Sequence, residues 1–384
     1  MALAWLTLEL TGSGLALGSV LMVAAIPRAV FMLVGGALSD RFSPRSLMLA
    51  SNAIRGVLVG IIAVLVLTGQ AELWQLYVMA AAFGVVDAFF YPAVSAILPM
   101  LVDEPSLAPA NALLQGSQQL ATLVGPALAG VLVALVHTGP VFAVDAASFA
   151  VATTTLFFVV GGRRTDRSQQ AGESGPGLLG TISAGFGYAL HDPAVRSLIL
   201  LTAAFNFAFT GSLSVGLPFL ATHGLGGGSA TFGLLLSAFG AGAVGGSLVA
   251  GSIHRVPQLG TVVLGIAIGL GVALGLIGVA PNVPVAFGLL AAIGVGAGFL
   301  NVHIISWLQG RTAEDMRGRV MSMVMLGSVG LAPLSYALAG AIVDLGAVTQ
   351  MYAVAGVIVA AAALLGFASG VAGRMVYVAE EQTT

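Results

Sequence analysis

Lysine and cysteine are both absent from these 384 residues, and charged side chains of any kind make up only 7%. Without cysteine there is no disulfide framework, no CxxC metal or redox pair and no thiol nucleophile. Without lysine there is no phosphate-cradling GxxxxGK[ST] loop, so nothing points to ATP as a driving force. The five histidines, at 137, 191, 223, 254 and 303, lack HExxH or paired metal spacing. No basic patch interleaved with aromatics suggests a nucleic-acid partner. The opening "MALAWLTLEL" has no charged leader, which argues against a cleaved signal peptide.

What the sequence has instead is apolar length. Hydrophobic residues reach 58%, mean hydropathy is +1.04 and glycine numbers 53, against about 45–50% apolar and about 25% charged in a soluble domain. Runs of roughly 20 residues, enough at about 1.5 Å per residue to cross about 30 Å of hydrocarbon, recur along the chain. Eleven lie between residues 15 and 372, and an apolar stub, 1–10, precedes them. In lipid each segment must satisfy its own backbone, so spans this long and this rich in Ala, Leu and Gly are helices: the chain is an all-α membrane protein. "GAGAVG", from Gly240 to Gly245, satisfies GxGxxG, but it lies inside an apolar run with no strand before it and reads as helix packing.

Arginine sets the orientation. Arg41 and Arg45, then Arg163, Arg164, Arg167 and Arg196, then Arg255, then Arg311, Arg317 and Arg319, then Arg374 all fall on alternate connections. The loops between, near Gly12, Gln70, Thr138, Gly226, Asn282 and Ala347, carry none. By the positive-inside rule the Arg-bearing connections, including the central linker and the C-terminus, face the cytoplasm of a multi-pass protein in the cell (inner) membrane.

The chain also repeats itself. "ALAGVLV" at 127–133 matches "ALAGAIV" at 337–343, and at the same offset of 210 Gly84 and Phe89 fall on Gly294 and Phe299. This divides the sequence into an N-terminal bundle, 1–160, a polar linker with a surface helix, 161–194, and a C-terminal bundle, 195–384. An offset of 215 aligns Leu17-Gly18 with Phe232-Gly233, and at that offset half of the first span is missing. The expectation is twelve spans in two six-helix bundles, the first truncated by a start placed too late or a chain cut short.

Two such halves with "GGALSDRFSPRS" after the second span, residues 35–46, resemble the major facilitator superfamily. "YPAVSAILPMLVDEPSLAPANALLQGSQQLATLVGPALAG" (91–130) and "GRTAEDMRGRVMS" (310–322) resemble its branch of bacterial drug and siderophore exporters, which includes macrolide efflux proteins and the enterobactin exporter. The family's loop signature is met by Gly36, Asp40, Arg41 and Arg45; Ser43 and Pro44 depart from it. The resemblance implies a cytoplasmic gate of charge pairs, which the positive-inside rule explains for the arginines but not for Asp40. The family's antiporter-associated element corresponds to Gly125, Pro126 and Gly130, with Ala112, Ala121 and Ala129 where it has glycine. A packing kink at the proline is the alternative.

Ionisable groups at membrane depth are functional candidates by default. Here they are Glu9, Arg28, Arg55, Asp87 and Asp145. At about 1.5 Å per residue, Arg28, Arg55 and Asp87 all fall roughly 18–21 Å from the outer ends of their spans, while Glu9 and Asp145 lie at roughly 5–8 Å. Asp87 or Glu9 is a candidate proton-coupling carboxylate; a permanently paired Arg and Asp that fixes helix register is the alternative. The Arg-bearing fourth-span signature of many proton-coupled drug exporters is missing from "AAAFGVVDAFFYPA".

Candidates for the wall of a central cavity are Gln115, Gln118 and Thr122, on one helical face, with Asn206, Asn301 and His303 in the second half. A lone histidine such as His303 is more often a packing residue than a ligand. Phe89, Phe90, Phe205, Phe207 and Trp307 offer apolar contacts for a lipophilic substrate, or simply pack.

The reading is a secondary active exporter of a lipophilic drug-like or siderophore-like small molecule, working by alternating access against protons. It has no cofactor, no metal and no catalytic residue, and is expected to be a monomer in the bilayer. The alternatives are an importer or facilitator of a small metabolite, and a non-transporting membrane sensor, for which the chain lacks a soluble output domain.

Overall fold

The computed structural model describes residues 1–39, 43–159, 192–253, 256–312 and 314–375. Asp40 and Arg41, and the linker from 160 to 191, lie outside the described residues. Among those described, every regular element is helical, and eleven segments are long and apolar enough to cross a membrane.

The first half comprises α1 (Ala2–Thr11), α2 (Gly14–Ser39), α3 (Pro44–Leu67), α4 (Leu73–Leu101), α5 (Leu107–Val136) and α6 (Thr138–Phe158). The second comprises α7 (Pro193–Gly224), α8 (Ser229–Ser252), α9 (Leu259–Ile277), α10 (Val283–Arg311), α11 (Glu314–Val329), α12 (Ala332–Asp344) and α13 (Val348–Ala368). Helix α1 is the apolar stub; its 10 residues make about 15 Å of helix, short of a span. Helices α11 and α12 form one span, interrupted at Gly330 and Leu331.

Two starts are written in the sequence as a capping residue followed by proline, and a third, at Asn282, has its proline one residue further on. Ser43 precedes Pro44 and its Oγ accepts the Ser46 N–H at 3.1 Å; Asp192 precedes Pro193 and accepts from Ala194 and Val195; Asn282 accepts from Val285. Proline costs nothing in the first turn, where its missing N–H had no partner to lose. The departure of Ser43 and Pro44 from the family signature is therefore the N-terminal cap of α3.

Apolar side chains pack inside and also cover the outside. Leu17, Leu235, Leu259 and Ile293 are fully buried, while Leu113, Leu135 and Phe158 are more than 70% exposed on a surface suited to hydrocarbon.

The halves meet along two seams, α2 with α12 and α5 with α8, and both are built from small residues. A Cβ on Gly18 would run into the Tyr336 carbonyl, and one on Gly233 into the Pro126 carbonyl. Gly340 lies on the backbone of Gly14 and Leu15, and Gly130 on that of Ser229 and Gly233. The repeat is thus visible as contact: Gly130 and Gly340 are the equivalent glycines of the two "ALAG" segments, and each packs on the other half. The same holds inside each half, where Gly84 abuts Ala24 and Gly294 abuts Phe239.

Both seams lie toward the Arg-poor ends of their helices. Toward the Arg-bearing end α5 stands clear, with Gln115, Gly116, Ser117, Gln118, Gln119 and Leu120 all exposed in succession. Six consecutive exposed residues cover every face of a helix, so no neighbour among the described residues packs there. The interface is closed at the Arg-poor end and, among the described residues, parted along α5 at the other.

Helix α7 is irregular near its Arg-poor end, where Ser212–Gly216 and Leu220–Gly224 are π turns. The Ser212 carbonyl accepts the Leu217 N–H and also the Tyr352 hydroxyl of α13, at 2.9 Å.

Candidate functional site

A cavity of about 450 Å³ lies between the halves. Its first-half wall carries Arg28 of α2, Asp87 of α4 and Asp145 of α6 among Leu21, Val59, Met79, Phe83 and Phe142. The second half supplies Thr210 of α7, Ser328 of α11 and Tyr336 of α12. A mostly apolar wall with a few convergent polar groups, in the size range of about 300–1,000 Å³, is the usual form of a small-molecule site.

Depth counting set Asp145 apart with Glu9, nearer the outer ends of the spans, but the structure puts it on the same cavity as Arg28 and Asp87. Arg28, Asp87 and Asp145 line the cavity, and Arg55 reaches Asp87 from α3 as a hydrogen-bonded ion pair. Arg55 is buried, and its guanidinium carbon lies 4.3 Å from the centre of the Phe90 ring. An ion pair and a π face together compensate a desolvated guanidinium. Glu9 stands apart: at the Arg-poor rim its carboxylate accepts the Thr138 hydroxyl.

The polar candidates of the spans lie elsewhere. Gln115, Gln118 and Thr122 sit on the exposed stretch of α5, on the parted side, and Asn301 is exposed. The Asn206 amide donates to the Thr202 carbonyl of its own helix. His303 is buried, stacked on Phe299 at 4.4 Å, with its ring nitrogens 3.1 Å from the Phe299 carbonyl and 3.3 Å from that of Ile253. The aromatics pair internally: Phe89 with Phe31, Phe205 with Phe209, and Trp307 beneath Arg311. Sequence reasoning missed Thr210, Ser328 and Tyr336, which are single polar residues on otherwise apolar faces. The one signal for Tyr336 is that the repeat sets it opposite Pro126.

In the antiporter-like element of α5, Gly125 has open space where a Cβ would stand, so the close approach to α8 falls on Pro126 and Gly130. The Ala127 N–H, beside the proline, donates across the seam to Ser237 Oγ at 2.9 Å. Of the loop signature, Gly36 lies in α2, while Arg45 turns back onto α6, donating to the Leu156 and Phe157 carbonyls. A cation at those carbonyls complements the negative end of the α6 dipole.

On the Arg-bearing side, Asp192 caps α7 and holds Arg311 of α10 at 2.9 Å. Burial works against this carboxylate, but the Arg311 hydrogen bond, the Ala194 and Val195 N–H groups and the Arg311 charge outweigh it and hold the carboxyl below its usual range.

Among the described residues, no group of three His, Cys, Asp or Glu side chains is placed to hold a metal ion.

Comparison with known proteins agrees with this architecture. The xylose transporter XylE from E. coli, solved in an inward-open conformation, superposes with a TM-score of 0.69 at 14% identity, over 95% of this chain and 91% of that one. A POT family transporter solved with a thioalcohol-conjugated peptide gives 0.72 at 14%, over 93% and 88%. At these identities the likeness is one of fold. Among curated relatives, the multidrug efflux pump Tap of Mycolicibacterium fortuitum is 25% identical over 90% of this chain and 84% of its own length. Macrolide efflux protein A of Streptococcus pyogenes is 23% identical over 54% of this chain, which spans about half the length of that relative (51%). The family model of the Major Facilitator Superfamily matches residues 1–334, and with that match, the eleven spans and the two-seam architecture the chain is a multi-pass membrane protein that belongs to this superfamily.

Proposed function

We propose that the protein is a secondary active exporter of a lipophilic, drug-like or siderophore-like small molecule, driven by inward movement of protons. The observation that carries this reading is the cavity between the halves, where Arg28, Asp87 and Asp145 stand among apolar side chains, with the interface closed at one end and parted at the other. Such a site admits an amphipathic solute from the parted side and offers carboxylates whose protonation the solute can displace. The naming of Tap and macrolide efflux protein A as efflux proteins supports the outward direction.

In this reading the Arg-bearing ends, the linker and the C-terminus face the cytoplasm, so the parted side is the inner one. Asp40, Arg41 and Arg45 form the inner gate of the outward-facing state. The chain acts as a monomer in the cell membrane, and Asp87, restrained by Arg55, is the coupling carboxylate.

The test is uptake of a macrolide, a lipophilic cation and a catecholate siderophore into inverted vesicles carrying the protein. Accumulation that needs an acid interior and stops with a protonophore is expected for at least one of them. Gradient-independent equilibration, or transport in the opposite direction, overturns the reading.

A further inference from the structure

At the closed end of the α2–α12 seam a carboxylate of one half finishes the helix of the other. Asp344, the last residue of α12, accepts the Ser13 hydroxyl on Oδ2 at 2.7 Å and the Gly14 N–H on Oδ1. Ser13 in turn accepts the Ala16 N–H on its own Oγ, at 3.1 Å, so Ser13 caps α2 and Asp344 completes the cap from across the interface. We propose that Asp344 is the outer gate of the transporter, a latch that holds the inward-facing state by capping α2 in trans and lets go when the outer end opens.

The chemistry gives the latch two discrete states. A carboxylate on the final turn of its own helix faces that helix's negative end, where it is disfavoured. What stabilises Asp344 there is the positive end of α2, with N–H groups that have no partner within their own helix. Both gains depend on contact between the halves, and both vanish together when α2 and α12 separate. Glycine makes the approach possible: a Cβ on Gly14 would stand 2.6 Å from Val343 Cγ1 and 3.0 Å from the Gly340 carbonyl. The other seam has no equivalent, because the repeat puts Ala134 where Asp344 stands and Gly228 where Ser13 stands. There the cross-seam bond is the neutral one from Ala127 to Ser237. The charged latch belongs to one seam only.

This inference rests on alternating access between the halves, and its test uses neither substrate nor gradient. The chain has no cysteine, so Leu21→Cys, which replaces a cavity residue beyond the seam, provides the only thiol. Right-side-out vesicles are treated with a membrane-impermeant maleimide. Adding Asp344→Asn is expected to raise the labelling rate about tenfold, the scale of losing a charge-assisted pair of hydrogen bonds. Ser13→Ala, a milder change, should raise it about threefold, and it decides the matter if Asp344→Asn does not fold. Thr349→Val, which removes the bond to the Gly278 carbonyl inside the second half alone, should change nothing. Labelling unchanged in a folded Asp344→Asn protein, or in Ser13→Ala where only that variant folds, overturns the latch. Efflux by the parent is scored separately, so loss of the export reading and loss of the latch give different results.

Discussion

Arg55 on α3 grips Asp87 on α4 at the edge of the interhalf cavity, and the ring of Phe90 covers the guanidinium. Asp87→Asn leaves a buried cation without its counter-charge, which should lower folding stability by about 2 kcal/mol, less than a fully buried pair because Asp87 keeps some exposure. The double variant Arg55→Gln, Asp87→Asn should recover part of that loss. Thermal melting of the four proteins forms the cycle, and additive losses in the cycle would show that the pair is not coupled. Substrate-driven proton uptake in proteoliposomes then separates the two roles open to the pair: coupling should fail in Asp87→Asn and stay lost in the stabilised double variant.

The glycine seams make a sharper prediction. Gly18→Leu and Gly233→Leu should each destabilise the closed seam by about 1–3 kcal/mol through overpacking, and their effects should be alike because the two sites are repeat equivalents. Gly245→Leu, facing open space, should be nearly neutral. Maleimide access to Leu21→Cys reports seam opening, and equal access for all three variants would contradict the assignment.

Asp192 supplies the pH dependence. Its carboxyl is held below the ordinary value, so it contributes stability that is present above about pH 3.9 and is lost as pH falls through its lower, folded value. Asn still caps the helix, so Asp192→Asn removes only the charge and its partly exposed pair with Arg311; it should melt lower at neutral pH by about 0.5 kcal/mol, and the gap should close on acidification. A gap that does not narrow on acidification would assign the effect to packing.

At the start of α3, Ser43→Ala should cost about 1 kcal/mol by removing the cap, whereas Pro44→Ala should cost less, since the first-turn proline donates no hydrogen bond. Chemical denaturation in mixed micelles reads both. A larger loss for Pro44→Ala would mean that its restriction of the unfolded chain dominates.

Spans, Arg asymmetry and repeat were legible because each rests on a constraint that acts on sequence directly: bilayer thickness, insertion bias and duplication. The pairing of Arg55 with Asp87 was within reach of the sequence for the same reason, since equal depth follows from counting rise along a helix; the same count set Asp145 too near the outer edge to join the cavity it lines. The cavity wall was not. In a soluble helix the polar face marks the solvent side, but in a bilayer the faces toward lipid and toward neighbours are equally apolar. Gln115, Gln118 and Thr122 announced a shared face of α5 without saying which way it looked. Thr210, Ser328 and Tyr336 announced nothing. Asp344 passed unnoticed because a carboxylate at a span end is unremarkable until the helix it caps is known.

The two π turns of α7 give that helix a surplus. Each turn widens the hydrogen-bond ring by one residue, and such bulges are uncommon enough to need a holder; the Tyr352 hydroxyl on the Ser212 carbonyl serves that purpose here. Relaxing one turn to ordinary winding would swivel everything beyond it by roughly 100° and slide it by about 1.5 Å along the axis. Helix α7 is thus wound with two residues to spare, and the rotational phase of its far end is set by turns that the bulk of the helix does not share.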